Sequence, residues 1–165
     1  MRRKAWSLLI LIGIGVILGG VLILKKVTIL YLENMDHPRT IRVRIRPSEP
    51  FWVSYVHSIY KEPVVEEFEA EKGAIALRGV RTKSPAVMEY YGFEDMKGFH
   101  AMHQRLGAVS FMWGIGEGQG LTVRDRKIPL NEVGKSGDRI QLRVESLPLG
   151  KYLLLEIGKG LSTEE

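Results

Sequence analysis

Residues 51–82 read FWVSYVHSIYKEPVVEEFEAEKGAIALRGVRT. Successive side chains on an extended chain point to opposite faces, so Phe51, Val53, Tyr55 and His57 share one face and Trp52, Ser54, Val56 and Ser58 the other. After residues 59–62, Pro63 restarts the chain and residues 64–71 make a second strand. Lys72-Gly73 is a tight-turn pair leading into a third strand at residues 74–82. The stretch is a β-meander, and it predicts the class of the whole fold.

Outward from this meander the strand pattern recurs. On the N-terminal side, residues 27–33 are β-branched and apolar, and Ile41, Val43 and Ile45 alternate with Arg42, Arg44 and Arg46. The arginines read either as a lipid-facing stripe or as a solvated face paired with the acids of residues 66–71. On the C-terminal side, Pro85 follows the third strand and residues 84–92 read as an irregular crossing. Phe93, Met96, Phe99, Met102 and Leu106 fall three or four apart and predict a short helix, with Glu94 and Asp95 in its first turn and Gly107 at its end. Val109, Phe111 and Trp113 then alternate, as do Leu121 with Val123 and Ile140 with Leu142 and Val144. Residues 152–157 read as a final strand. The expected fold is all-β, a β-sandwich or partly open barrel of about nine short strands with one short helix.

Residues 5–24, AWSLLILIGIGVILGGVLIL, contain no charge and lie between MRRK and KK. A helix of that length spans about 30 Å, the thickness of a bilayer's hydrocarbon core. A cleaved signal peptide needs a shorter apolar run ending in small residues; this run ends in Leu22, Ile23 and Leu24. The sequence therefore predicts an uncleaved anchor over residues 1–26 and a single β-domain over 27–165. Three basic residues before the span against two after it orient the N-terminus to the cytoplasm and the domain outside it. The implied location is the cell membrane, crossed once.

The chain carries a net charge of +5, but the excess is confined to the anchor flanks. Residues 1–26 hold five basic side chains and no acid, and the other 139 residues carry 19 of each sign. A neutral domain has no electrostatic footprint for nucleic acid. The absence of cysteine excludes disulfides, thiolate catalysis and thiolate metal sites.

Four motifs invite chemistry. The alternating glycines at 114, 116, 118 and 120 lack the spacing of a dinucleotide cradle and read as a hairpin loop. Gly134-Lys135-Ser136 ends like a phosphate loop, but Pro129 occupies the position of that motif's first glycine. His100 and His103, three apart on the expected helix, make an incomplete metal site with no third ligand indicated. The fourth is His57, Ser58, Glu66 and Glu67. His57 and Ser58 are neighbours on a strand and point apart, which opposes a Ser–His nucleophile pair. A His57–Glu pairing across the hairpin can satisfy a partly buried histidine or bind a ligand or partner, with catalysis the weakest of the three readings. No cofactor and no metal is implied.

The same residues carry a family resemblance. Phe51-x-Val53-x-Tyr55-x-His57-Ser58-Ile59 followed by Pro63-Val64-x-Glu66-x-Phe68 resembles the signature of an uncharacterised domain-of-unknown-function family of small membrane-anchored proteins. Its members are encoded beside or fused to TAXI-class TRAP transporters, solute importers with an extracytoplasmic binding protein. Gly137-Asp138-Arg139-Ile140-x-Leu142-x-Val144-Glu145 is similar to that family's final strand, and the resemblance runs from about residue 45 to 148. One departure is Ser84-Pro85-Ala86-Val87, where the family places a glycine-rich turn. The resemblance implies context and no catalytic residue: a non-enzymatic accessory or interaction protein whose partners are the lipid bilayer and transporter subunits. The alternative reading is a small-ligand or metal-binding module centred on His57 and Glu66, and the last is a hydrolase.

Overall fold

The computed structural model describes residues 2–95, 97–113 and 119–161. The chain divides into two compact units, residues 28–145 and residues 1–27 with 146–165. Strand is the largest component of the described structure, arranged in two sheets.

The four-stranded sheet runs in the order β2 (Thr40–Ile45), β1 (Lys26–Asn34), β10 (Arg139–Pro148), β7 (Ala108–Met112). The six-stranded sheet runs β6 (His100–Leu106), β5 (Ala74–Thr82), β4 (Pro63–Glu71), β3 (Pro50–Val56), β8 (Gly120–Val123), β9 (Arg126–Pro129). The meander expected from residues 51–82 is β3-β4-β5, antiparallel throughout, and Lys72 and Gly73 both adopt the positive φ that a tight hairpin turn requires. Register pairs Phe51 with Phe68, and their rings stack with centroids 5.7 Å apart. Leu30, Leu32, Ile140 and Leu142 from the four-stranded sheet join Phe51, Phe68, Ile75 and Leu121 from the six-stranded one in a single apolar core. Burying this surface is the principal favourable term for the domain. The polar side of β1 and β10 is tied by Arg143, which grips Glu33 with two hydrogen bonds of 2.7 and 2.8 Å and lies 3.9 Å from the Tyr31 ring centroid.

Three local expectations are corrected. Residues 84–92 are not irregular: Ser84 caps a short helix, α2 (Pro85–Tyr90), its hydroxyl accepting the Val87 N–H, with Pro85 in the first turn. The helix expected over 93–106 is instead strand β6, and Met96, one of the residues that defined it, lies outside the described residues. The three- and four-residue spacing was a coincidence of loop and strand hydrophobics. Pairing along the free edge of β5 satisfies that strand's backbone groups, which an isolated helix cannot do. The final strand expected at 152–157 is helix α3 (Leu149–Leu161). Its leucines and the near absence of β-branched residues favour a helix, against the cost of Gly150, Gly158 and Gly160. Two acids of β4 have partners other than the arginine stripe. Glu69 meets Arg78 and Glu71 meets His103, both within the six-stranded sheet.

In the other unit, α1 (Arg2–Leu24) is a helix of 23 residues. Among the residues whose side chains are described, no helix is long and apolar enough to cross a membrane. In α1 those side chains are Trp6 and the ones from Leu9 onward, and every large apolar one is exposed, from Trp6 at 70% to Leu24 at 80%. α3 starts beside the end of α1, where the Leu149 N–H donates to the Lys25 carbonyl at 2.7 Å.

Candidate functional site

Strand β4 reads PVVEEFEAE, and its register places Val64, Glu66, Phe68 and Ala70 on the core side of the sheet. Glu66 is thus a carboxylate at a core position, directly across from Val53 on β3 and Val80 on β5. Glu66 is half-buried, and a charge drawn partly out of water must find partners or change its protonation. Two tyrosines supply the partners. The Tyr91 hydroxyl, just past the end of α2, donates to Glu66 Oε1 at 2.6 Å, and the Tyr55 hydroxyl donates to the same oxygen at 3.4 Å. Each hydroxyl has one proton, so with Tyr91 donating to Glu66, Tyr55 divides its own between the Tyr91 oxygen at 2.7 Å and Glu66. Oε2 has no hydrogen-bond partner among the described residues.

Burial pushes the Glu66 carboxyl above its ordinary range, and the two tyrosine hydrogen bonds only partly offset it. Tyr91 and Tyr55 are both pushed well above the ordinary phenol range, first by burial and then by the Glu66 charge. The hydroxyls therefore stay protonated and act as donors.

Glu66 opens onto a cleft of about 640 Å³ inside residues 28–145. The six-stranded sheet contributes Tyr55, Leu77, Gln104 and Leu106 to its walls, and β7 contributes Val109 and Phe111 from the other sheet. Tyr90 and Tyr91 bring α2 to its rim, together with His57 and Ser58.

Of the four residues singled out in the sequence, the structure joins some and separates others. His57 and Ser58 fall just past the end of β3, in the turn to β4. His57 organises that turn: its N–H donates to the Glu62 carbonyl at 2.8 Å and its carbonyl accepts the Lys61 N–H at 2.8 Å. Its Nδ1 accepts the backbone N–H groups of Ile59 and Tyr60 at 3.3 and 3.4 Å, which places the ring proton on Nε2. The ring packs on Tyr60 and edge-on to Tyr90. It makes no hydrogen bond to Glu66, Glu67 or Ser58 among the described residues. Glu67 points away from the core, opposite Trp52, and accepts the indole N–H at 3.0 Å. Of the four, His57, Ser58 and Glu66 line the cleft, and Glu66 is the one that brings a carboxylate to it. Tyr91 escaped sequence reasoning, and Tyr55 reads there only as a residue on the His57 face of its strand, with no role as a donor. The available signal was an acid at an inward position of a period-2 pattern, which has to be met by donors from elsewhere.

The histidine pair is also separated. Three positions apart on a strand, His100 and His103 point to opposite faces; His100 is buried against Phe93 and within 3.2 Å of Asp95, and His103 is exposed beside Glu71. Among the described residues no three His, Asp or Glu side chains converge on a metal position. The glycine-rich run at 114–118 lies outside the described residues.

Two sheets enclose one core, and the cleft beside it carries a single half-buried carboxylate among the described residues. No family model, no curated protein and no solved structure matches the chain.

Proposed function

We propose that this chain is a single-pass, membrane-anchored, non-enzymatic accessory of a TAXI-type TRAP solute transporter, with its N-terminus in the cytoplasm and its β-domain outside. The observation that carries the anchor is α1, whose described large apolar side chains are all exposed. Water disfavours a continuous apolar surface of that kind, and a bilayer covers it. The uncharged run of residues 5–24 extends it to membrane thickness. Helix α3 adds Leu153, Leu154 and Ile157, exposed and clustered at helical spacing, a face suited to the bilayer's interfacial region. The non-enzymatic reading is supported by His57, whose Nδ1 is committed to the turn backbone and not to Ser58. The transporter context rests on the resemblance of the His57-Ser58 to Glu66 segment.

Protease protection of the C-terminal tail in intact spheroplasts tests orientation, with digestion from outside expected. Affinity purification from native membranes should then recover transporter subunits. Failure to recover them, together with unchanged solute uptake after deletion, would sink the transporter reading.

A ligand-binding reading stands beside it. The specific observation favouring it is the cleft with Glu66 at its wall.

A further inference from the structure

The cleft has a chemical bias. Glu66 is the one carboxylate lining it, and no lysine or arginine lines it among the described residues. The carboxylate has two hydroxyl donors on one oxygen and none on the other. Hydroxyls satisfy lone pairs but supply no positive charge, so burial still drives the carboxyl towards its neutral form. The site is an acid without a counter-ion. Around it stand Tyr55, Tyr90, Tyr91 and Phe111, and aromatic faces attract cations. The remaining walls mix apolar side chains such as Leu106 and Val109 with polar ones such as Gln104, Ser110 and His57. At about 640 Å³ the cleft falls within the size range of small-molecule pockets.

We propose that the cleft binds a small organic amine, a protonated amino group on an apolar or aromatic body. The ammonium donates to Glu66 Oε2 among the tyrosines, and the body lies along Leu106, Val109 and Phe111. The ammonium supplies the missing counter-charge, and the apolar body covers the apolar part of the wall. An anionic solute of the same shape meets the Glu66 charge with no cation to receive it. This inference needs the cleft alone and not the transporter, so protease protection and pull-down can fail while it survives, and the reverse.

The test is calorimetric titration of the full chain in lipid nanodiscs with phenethylamine, against its isosteres phenylacetate and phenethyl alcohol and against empty nanodiscs. Phenethylamine is expected to bind at least about tenfold more tightly than either isostere, since a hydrogen bond to a charged group exceeds a neutral one by that order. Glu66→Gln is expected to weaken the amine by roughly 10- to 100-fold and to abolish the preference. No heat from phenethylamine, equal binding of the three probes, or an unchanged preference in Glu66→Gln overturns the proposal. If circular dichroism shows Glu66→Gln unfolded, Leu106→Trp, which fills the cleft without touching the hydrogen bonds, decides in its place: lost amine binding supports the site and retained binding overturns it.

Discussion

Replacing Tyr91 with Phe removes one oxygen and leaves the ring, so its effect isolates the hydrogen bonds around Glu66. Two are lost: the 2.6 Å bond to the carboxylate and the 2.7 Å bond to Tyr55. A bond to a charged acceptor contributes about 1.5–3 kcal/mol and a neutral one about 0.5–1.5 kcal/mol, so the variant should lose about 2–4 kcal/mol. With a urea slope of about 2 kcal/mol per molar for a domain of this size, the midpoint falls by about 1–2 M. In a Glu66→Gln background the bond to position 66 becomes neutral while the Tyr55 bond is lost as before. The same change should then cost about 1–1.5 kcal/mol less, and that difference is the coupling energy of the cycle. Urea unfolding of the four proteins, followed by near-ultraviolet circular dichroism, measures it. The penalty of Tyr91→Phe should also shrink in acid, where Glu66 is protonated. A coupling below about 0.5 kcal/mol, or a penalty independent of pH, would refute a charged, tyrosine-bonded Glu66.

Four further outcomes are expected. The folded Glu66 carboxyl sits above its ordinary range, so the folded state holds its proton longer than the unfolded chain; relative to Glu66→Gln, wild-type stability should fall as pH rises from about 4.3 through the folded value. Asp138 and Glu49 have the opposite sign, held low by the Lys135 N–H and by the Arg124 guanidinium respectively, and both proteins should lose that stability together as pH drops below the ordinary carboxylate range, seen as parallel acid limbs in thermal melts. Asn34→Ala should cost about 2–4 kcal/mol in denaturant unfolding, because the buried amide donates to Val133 O and Asp138 Oδ2 while its oxygen accepts the N–H groups of Asp36 and His37. Gly79→Ala should destabilise by about 1–3 kcal/mol, since an added Cβ would stand 2.6 Å from the His100 carbonyl and against the Phe99 ring; a variant as stable as wild type in a thermal melt would contradict the close β5–β6 approach.

The β-meander was legible in residues 51–82 because a strand's two faces differ in solvent, and period-2 alternation records that difference directly. The Lys72-Gly73 turn was legible for a similar reason: positive φ restricts residue choice, and the restriction is local. The apolar run of residues 5–24 needs no fold to be read. Pairing is different. β6 was hidden because its hydrophobics fall at helical spacing and only the unpaired edge of β5 makes them a strand. The helical state of residues 149–161 rested on a weak propensity that a short apolar run did not reveal.

The site divides along the same line. In the sequence the acids of residues 66–71 read as one group, although the alternation from Val64 to Ala70 that puts Glu66 on the core face is a property of one segment. That His57 would turn to its own loop, that Glu67 would meet Trp52, and that Tyr91 would arrive from α2 to hold Glu66 were decided by tertiary structure. These contacts join residues as many as 25 positions apart. The energy that selects them, desolvation of a carboxylate against the donors that reach it, exists only after the sheets have closed.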